Sequence, residues 1–390
     1  MSDSNPMRNS DIRESNEKMI LSMIRGSEGI SQSQVVAATG LKAPTVLRTF
    51  KNLEDGGWIE PFDKKVDTGD KKGRKPVFFR LCSESLYSLG MEFWSGGASF
   101  AIENFNSDII IEEIISLDGD RDWENTVLYM IEKVEQIIRM ADIPRERILG
   151  LGIGVPGQVD VLSGEAVHYS RFDNFKKLNI KKIYEDRLGL DVTVCNNTTA
   201  IAYGEYHFGR IGQYNSAFAF LMRGGVGGAF INKGQVFATD NRTSIEIGHF
   251  SVDYHGRSCE CGNRGCLEAY LSEKAILADL GHRIEAPTPD DLRARIDFSS
   301  RKTQAVLDEK ANVLAQVVRN LTSVFAPETF VFLCRHEELG RYLCAKAEEY
   351  LRVNPSNRWQ TDLSIRPMPY DSSAGSRGAA ELVFRNYLLK

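Results

Sequence analysis

The chain has 390 residues, of which 42% are hydrophobic and 26% are charged, and its formal net charge is −5. This composition is typical of a globular protein with two or three domains, and no apolar run approaches the ~18 residues that a transmembrane helix needs. Residues 1–18 are polar and lack the apolar segment of a signal peptide, so we expect a cytoplasmic protein. Seven cysteines do not indicate a disulfide framework at this length, and clustered cysteines in a reducing compartment more often bind metal.

The acidic net charge hides a basic strip near the N-terminus. Residues 11–82 contain 13 Lys and Arg against 10 Asp and Glu, and residues 64–80 alone contain seven Lys and Arg against two Asp. A local excess of positive charge in an acidic protein is typical of a surface that contacts a polyanion. A solvated, charged hairpin is the alternative, and charge alone does not exclude it.

The sequence predicts three helices within residues 16–57. Residues 16–25 repeat apolar side chains at helical spacing, and residues 31–34 (SQSQ) have the form of a capping box that starts a second helix. Gly40 predicts the end of that helix, because glycine is common just after a helix C-terminus. Pro44 predicts the first turn of a third helix, which ends at Gly56-Gly57.

Two short helices joined by a tight glycine turn form the helix-turn-helix pattern, whose second helix enters the DNA major groove. We expect this helix to bury Val46, Leu47, Phe50 and Leu53. Strands at 58–61 and 76–81, on either side of the basic loop, complete a winged helix-turn-helix. The candidate DNA contacts are hydroxyls and cations expected on the exposed faces and on the wing: Ser31, Ser33, Thr45, Arg48, Thr49, Lys51, Arg74 and Lys75. A three-helix packing module that binds no DNA is the alternative.

The remainder of the chain alternates strand-like and helical segments, which indicates an α/β architecture. The predicted strands span 88–102, 148–155, 192–195 and 217–231. Helical patterns cover 123–140 and 198–208. We place the domain boundary after residue 82, so that a winged helix-turn-helix domain occupies 1–82 and a second domain occupies 83–390.

Three segments of the second domain are similar to the motifs of one protein family. They are residues 151–160 (LGIGVPGQVD), 245–249 (IEIGH) and 259–268 (CECGNRGCLE). In this order and spacing they closely resemble the ROK family, named for repressors, open reading frames and kinases, and the cysteine-rich motif is highly specific. The resemblance covers nearly the whole chain, because the family's repressor branch also begins with a winged helix. It implies a two-lobed, actin-like sugar-kinase fold with a sugar in the cleft.

The sequence departs from the family's kinases where their chemistry requires particular residues. Those kinases need a general base and glycine-rich loops that hold the phosphates of ATP. Here residues 93–95 (FWS) interrupt the first loop, residues 223–229 lack the Thr of the second, and residues 332–336 (FLCRH) replace the adenosine-side glycine run. Asn197 stands where the catalytic Asp is expected, and an amide cannot accept the proton. We therefore predict that the protein is not an enzyme.

The sugar-contacting positions of the family are better kept. Carboxylates, amides and an imidazole suit a polyhydroxylated ligand, because each holds a hydroxyl by one or two hydrogen bonds. The candidate sugar-binding residues, assigned by the resemblance, are Gly157, Asn174, Asn196, Asn197, Glu246, His249 and Glu268. For each of them the alternative is a structural polar group whose hydrogen bonds are satisfied within the protein.

A candidate metal site overlaps this set. Cys259, Cys261 and Cys266, with His249 ten residues upstream of the first cysteine, supply three thiolates and one imidazole within residues 249–266. Such a set matches a closed, tetrahedral structural zinc site. His255 is a competing ligand, but the resemblance favours His249. Reduced cysteines without metal are the alternative.

These observations predict a sugar-responsive transcriptional regulator of carbohydrate genes, and the resemblance favours a repressor. In this hypothesis a sugar closes the cleft and reorients paired winged helices on two DNA half-sites, which implies a homodimer. An ATP-dependent sugar kinase with an appended DNA-binding domain is one alternative. The other is a regulator whose signal is a partner protein, such as a sugar-transport component.

Overall fold

The computed structural model of the protein describes residues 9–64, 76–94, 96–117, 122–169, 175–237, 245–285, 287–353 and 363–389. The N-terminal part combines three helices with a three-stranded antiparallel sheet of order β1-β3-β2. Its elements are α1 (Asn9–Arg25), β1 (Ile30–Ser31), α2 (Gln32–Thr39), α3 (Ala43–Asp55), β2 (Ile59–Phe62) and β3 (Phe78–Leu81).

The predicted winged helix-turn-helix is confirmed, although α1 begins at Asn9 and not at residue 16 as predicted. The Ser31 hydroxyl accepts a hydrogen bond from the Gln34 N–H, and the Gln34 side chain accepts one from the Ser31 N–H, which completes the capping box. Gly40 ends α2 in the left-handed conformation at φ 70°, and Pro44 lies in the first turn of α3. The bounds of α2 and α3 therefore follow from local rules alone.

Two predictions about the faces of α3 are wrong. Leu47 is 58% exposed, whereas Thr49 is only 5% exposed. The buried stripe follows Val46, Phe50 and Leu53, and Thr49 lies three residues after Val46 on that same face, while Leu47 is turned about 100° away from Val46.

The first lobe of the second domain is a five-stranded sheet of order β11-β7-β4-β5-β6. The β4–β5 and β5–β6 pairs are antiparallel, and the β4–β7 and β7–β11 pairs are parallel. A small sheet of order β10-β9-β8 shares the apolar core of this lobe. The elements are β4 (Tyr87–Trp94), β5 (Gly97–Asn104), β6 (Ile109–Ser116), α4 (Trp123–Ala141), β7 (Ile148–Val155), β8 (Gln158–Asp160), β9 (Glu165–His168), β10 (Leu178–Asn179), α5 (Ile180–Leu188) and β11 (Val192–Asn196).

The second lobe repeats this topology. Its sheet has the order β14-β13-β12-β15-β16, with three antiparallel strands followed by two parallel ones, so the strand order of the first lobe is duplicated. The predicted two-lobed α/β fold is thereby confirmed. The elements are α6 (Asn197–His207), β12 (Ser216–Met222), β13 (Val226–Asn232), β14 (Gln235–Val236), α7 (Glu268–Leu271), α8 (Glu273–Asp279), α9 (Pro289–Arg295), α10 (Arg301–Phe325), β15 (Thr329–Cys334), α11 (Glu337–Val353), β16 (Ile365–Pro369) and α12 (Ala374–Leu389).

Two of the predicted strands are hairpins. The segment 88–102 is divided between β4 and β5, and the segment 217–231 between β12 and β13. The apolar run hides each turn, because β4, β5 and β12 are almost entirely buried and lack the polar alternation of a half-exposed strand. Strand β13 is buried at four of its seven residues. Over the described part of the chain, no helix combines the length and the apolar character needed to cross a membrane.

Helix α12 connects the lobes to the winged helix. It packs against α6 so closely that a Cβ on Gly378 would lie 1.9 Å from the Ala200 carbonyl oxygen. At its other end, Phe384 belongs to one apolar cluster with the cores of α1, α3 and the wing strands. The Tyr387 ring stacks on Trp58, with 6.5 Å between ring centroids. A single helix therefore contacts both the lobes of the second domain and the N-terminal domain.

Candidate functional site

A cleft with a cavity of about 470 Å³ lies between the two lobes. It is lined at the carboxyl ends of β4, β7 and β11 from the first lobe and of β12, β15 and β16 from the second. Ligands of α/β sheets bind in crevices at this edge of the strands, and a cavity of this size holds a small molecule. Six of the seven predicted sugar-binding residues line it: Gly157, Asn196, Asn197, Glu246, His249 and Glu268. The seventh, Asn174, lies outside the described residues.

Two asparagines stand where β11 passes into α6. Asn196 caps α6, since its Oδ1 accepts from the Thr198 N–H at 2.8 Å, and its Nδ2 donates to the Gly157 carbonyl at 2.7 Å. Asn197 Nδ2 donates to Glu92 Oε1 at 3.3 Å. Both side chains are oriented by the protein, and each retains donor or acceptor capacity for a ligand.

The backbone at Gly157 lies close to the backbone of His168. Its φ is +76°, and a Cβ there would lie 2.2 Å from the His168 carbonyl oxygen. Only glycine fits this turn without strain. His168 itself lines the cavity from the small sheet, although sequence reasoning did not single it out.

The acidic wall of the cleft, formed by Glu246 and Glu268, comes from the second lobe. Glu268 begins α7, and its Oε2 accepts a hydrogen bond from the Val226 N–H at 3.0 Å. Glu246 directly precedes the short 3-10 helix that carries His249. The carboxylates of Glu246 and Glu268 line the same cavity as the amides of Asn196 and Asn197, which gives a donor and acceptor pattern suited to hydroxyls.

The predicted metal ligands converge. The ligand atoms of His249, Cys259, Cys261 and Cys266 all lie within 4.8 Å of one another. His249 Nδ1 is 3.8 Å from Cys259 Sγ, and Cys261 Sγ is 3.7 Å from Cys266 Sγ. Tetrahedral zinc with ~2.3 Å Zn–S bonds places its ligand atoms ~3.8 Å apart, so the donor set and its spacing fit a metal ion. His249 and Cys261 also line the cavity, which joins the cluster to the cleft.

The cleft also contains residues that the sequence did not identify as functional. Arg223, which follows β12, donates to Glu92 Oε1 at 2.9 Å and to the Tyr370 hydroxyl at 2.7 Å. Its guanidinium carbon is 4.9 Å from the centre of the Trp94 ring. Burial lowers the pKa of Arg223 and the Glu92 carboxylate raises it, with a net upward shift. Trp94 and Arg223 both fall where the sequence departs from the kinase loops, and that departure was the available signal.

The candidate DNA-binding residues are distributed unevenly. Arg48 and Lys51 of α3 and Ser33 of α2 are exposed, and Thr45 is half-buried. Ser31 is 3% exposed, and its hydroxyl bonds Gln34, so helix capping takes this group away from a phosphate. Thr49 is buried, as described above. Arg74 and Lys75 lie outside the described residues.

Family models match both parts of the chain. A model described as the ROK family matches residues 96–386, and a winged helix-turn-helix DNA-binding model matches residues 13–60. A xylose repressor from Bacillus spizizenii is 25% identical over 82% of this chain and 82% of its own. The DNA-binding transcriptional dual regulator NagC from Escherichia coli is 22% identical over 97% of this chain and 94% of its own.

Solved structures have the same fold. A ROK family transcriptional regulator, described as a homologue of the E. coli Mlc protein, has a TM-score of 0.80 at 20% identity and covers 97% of this chain and 98% of its own. A ROK family glucokinase from Streptomyces griseus, in complex with glucose and AMPPNP, has a TM-score of 0.64 at 20% identity. It covers 76% of this chain and 98% of its own.

Proposed function

Because the chain belongs to the ROK family and carries a winged helix-turn-helix, we propose that it is a transcriptional repressor of carbohydrate genes whose effector is a sugar bound in the cleft. The observation that carries this proposal is the position of α12. Tyr370 and Ser372, in the segment just before α12, line the cleft. The last turns of α12 itself pack on the winged helix. Relatives described as repressors for xylose and for N-acetylglucosamine support a sugar as the class of effector.

The chemistry of the cleft supports a neutral polyhydroxylated ligand in the proposed subsite. Asn196 offers an amide at the end of β11 in the first lobe and Asn197 offers one at the start of α6, while Glu246 and Glu268 offer carboxylates from the second lobe. A ring with several hydroxyls bonds both walls at once, because each hydroxyl both donates and accepts. A sugar would therefore stabilise one arrangement of the two lobes.

We propose that the cleft binds its sugar without phosphorylating it. Asn197 takes the place of the catalytic carboxylate, and its amide nitrogen donates to Glu92 instead of accepting a proton. A general base contributes about 10²–10⁴-fold to such a reaction, so its replacement by an amide removes most of the rate. Gly224 also occupies the loop position at which the kinases have Thr.

We propose zinc as the metal at His249, Cys259, Cys261 and Cys266. Three thiolates and one imidazole would fill the four positions of a structural zinc ion, which supplies a cross-link between distant segments and no open position for catalysis. Cys266 lies two residues before Glu268, and His249 lies three residues after Glu246. A zinc ion at this site would therefore fix the positions of Glu246 and Glu268 in the cleft. Groups around a metal site and its ligands orient one another in the same way.

The repressor would work as a two-state switch. Helix α6 begins at the asparagines of the cleft and packs along α12, and α12 ends against the winged helix. A sugar that favours one arrangement of the lobes would shift both helices, and the effect on DNA can be no larger than its differential affinity for the two states. We also propose that the protein acts as a homodimer on two DNA half-sites, with 1–82 as the DNA-binding domain, and that a sugar-transport protein is a further partner to test.

The test is fluorescence anisotropy with DNA tiled from the gene's own upstream region, at one fixed salt concentration. Each tile is titrated with and without D-xylose, D-glucose, N-acetyl-D-glucosamine and the 6-phosphates of the last two. We expect one tile to bind tightly and one sugar to weaken that binding. The double variant Arg48→Ala, Lys51→Ala is the control, and it should lose DNA binding while it still binds the sugar in calorimetry.

Three other outcomes have distinct meanings. If the protein binds one tile specifically and no sugar alters that binding, the signal would be a partner protein. ATP-dependent phosphorylation of a sugar by the purified protein would establish the kinase alternative. Equal binding of every tile and of random DNA would contradict the repressor at this locus.

A further inference from the structure

Glu92 and Arg223 form a buried ion pair between the two lobes. Glu92 lies on β4 of the first sheet, and Arg223 directly follows β12 of the second. We propose that this pair is an interlobe latch, in which Arg223 is a positioning residue that sets Asn197 for the effector and holds the start of α12. The proposal rests on the proposed sugar response and names the residues that would transmit it.

Glu92 is enclosed by Arg223, by the start of α6 and by the first turn of α12. The residue is fully buried, and its Oε1 accepts from both Arg223 and Asn197. Within the described residues its Oε2 has no hydrogen-bond partner, so the two Oε1 contacts carry the stabilisation of this carboxylate. A Cβ on Gly375 would lie 2.6 Å from Glu92 Cγ, so the first turn of α12 rests directly on this side chain.

Arg223 is held from both lobes as well. From the first lobe it contacts Glu92 and the face of Trp94, and from the second it bonds the hydroxyl of Tyr370 and lies 5.7 Å from the centre of its ring. Its side chain is only 9% exposed. A buried ion is stable only with close partners, so movement of the lobes that separated Arg223 from Glu92 would be strongly resisted.

The latch joins the ligand site to the helix that reaches the winged helix. Asn197 shares the Oε1 atom of Glu92 with Arg223, so the orientation of that amide depends on the pair. Tyr370 lies four residues before α12, and Gly375 lies in its first turn. A change at Asn197 on ligand binding therefore reaches α12 through two side chains.

The experiment uses the full chain in four forms: wild type, Glu92→Gln, Arg223→Gln and the double variant. A fifth, Lys310→Gln, removes the buried Lys310 from its ion pair with the half-buried Asp279. This pair belongs to the second lobe alone and does not line the cavity. Three quantities are measured for each form: the thermal midpoint, the hydrogen exchange of peptides from residues 374–380 without ligand, and the Kd of the sugar identified with the wild type. The fluorescence of Trp94, assigned by Trp94→Phe, reports contact with Arg223.

We expect each single latch variant to raise the sugar Kd at least about tenfold, since it leaves one buried charge unpaired and Asn197 misplaced. The exchange of 374–380 should rise in the same variants, and the Trp94 emission should change in Arg223→Gln. The double variant should recover part of the thermal midpoint, because no charge is left unpaired, but not the sugar affinity. Lys310→Gln should lower the midpoint without altering the sugar Kd or the exchange of 374–380.

A purely structural ion pair would give a different result. In that case the double variant would restore the thermal midpoint and the sugar Kd together. The hydrogen exchange of residues 374–380 would also rise as much in Lys310→Gln as in the latch variants. Either finding would overturn the latch. If no sugar of the panel binds the wild type, the proposed effector class fails separately. The ligand-free exchange and the Trp94 emission would then still decide whether Arg223 holds α12.

Discussion

Arg25 at the end of α1 forms a two-pronged ion pair with Glu381 of α12, with Nη1 2.6 Å from Oε1 and Nη2 2.7 Å from Oε2. The same guanidinium donates to the Phe105 carbonyl and stacks on Phe384 at 4.5 Å. Burial first, and then Glu381, raise the pKa of the nearby Glu103 well above its usual value, which favours the protonated form of this carboxyl beside Arg25 and Glu381. Arg25 therefore makes a buried polar contact between the winged helix and α12 of the second domain.

The first prediction concerns this junction. Arg25→Met should lower the free energy of unfolding by about 3–5 kcal/mol, because it leaves the buried carboxylate of Glu381 without its arginine partner. It should leave the sugar Kd unchanged, since Arg25 does not line the cleft, while the sugar loses its effect on DNA binding. Calorimetry and anisotropy on the same preparation measure both quantities.

A matched control lies on the same helix. Arg13 forms an exposed i,i+4 pair with Glu17, and Arg13→Met should change the free energy of unfolding by less than about 0.5 kcal/mol. A full sugar response in Arg25→Met would show that the signal does not pass through this contact.

The second prediction concerns the DNA-binding helix. Arg48→Ala should weaken binding to the specific tile by about 1–3 kcal/mol and reduce the dependence on salt, because an exposed guanidinium on α3 is lost. Arg139→Ala, an exposed arginine on α4, is the control and should have no effect. Thr49→Val should also leave DNA affinity unchanged, since Thr49 is buried. A larger loss in Thr49→Val than in Arg48→Ala would contradict the orientation of α3.

Local rules explain which parts of the fold the sequence predicted. The capping box at Ser31 and the left-handed Gly40 involve neighbours within four residues, and the structure confirms both. The hairpin turn after Trp94 was missed because burial of both strands depends on helices far away in the chain. Leu47 was misplaced because α3 has one narrow buried stripe, and its direction depends on packing against α1 and β3.

The site shows the same division. The motif residues at the ends of β7 and β11 were predicted and do converge on one cleft, because parallel strands end at one edge of a sheet. The pairing of Arg223 with Glu92 was not predicted, since 131 residues separate them and the contact exists only when two lobes meet. The domain boundary after residue 82 stays a prediction. Leu86 and Phe105, which follow it, share an apolar cluster with the winged helix.

The third prediction concerns the metal. The purified protein should contain one zinc ion per chain by elemental analysis, and Cys261→Ser should lose most of it, because three ligands hold zinc far less tightly than four. Loss of zinc should also raise the sugar Kd, since Glu268 follows Cys266 closely in the chain. Cys82→Ser, at an isolated half-buried cysteine, should keep both zinc and sugar affinity. Zinc retained at full stoichiometry in Cys261→Ser would rule out this ligand set.

The fourth prediction concerns pH and the buried Glu205 of α6. Burial first, and then the Asp371 carboxylate, raise the pKa of Glu205 to about 7, although Arg377 and Arg210 oppose the shift. Between pH ~4.5 and ~7 the unfolded chain has ionised this group while the folded chain keeps its proton, so the free energy of unfolding falls as pH rises through that window. Glu205→Gln should remove this loss.

Relative to the wild type, Glu205→Gln should therefore gain stability on going from pH 4.5 to pH 8, by at most about 3 kcal/mol for a shift of this size. Urea unfolding of both proteins at the two pH values measures the difference. Glu132→Gln, on the exposed face of α4, is the control. Its free energy of unfolding should differ from that of the wild type by the same amount at both pH values. Equal behaviour of Glu205→Gln and Glu132→Gln would mean that Glu205 is ionised in the folded protein, with its charge neutralised by Arg377 and Arg210.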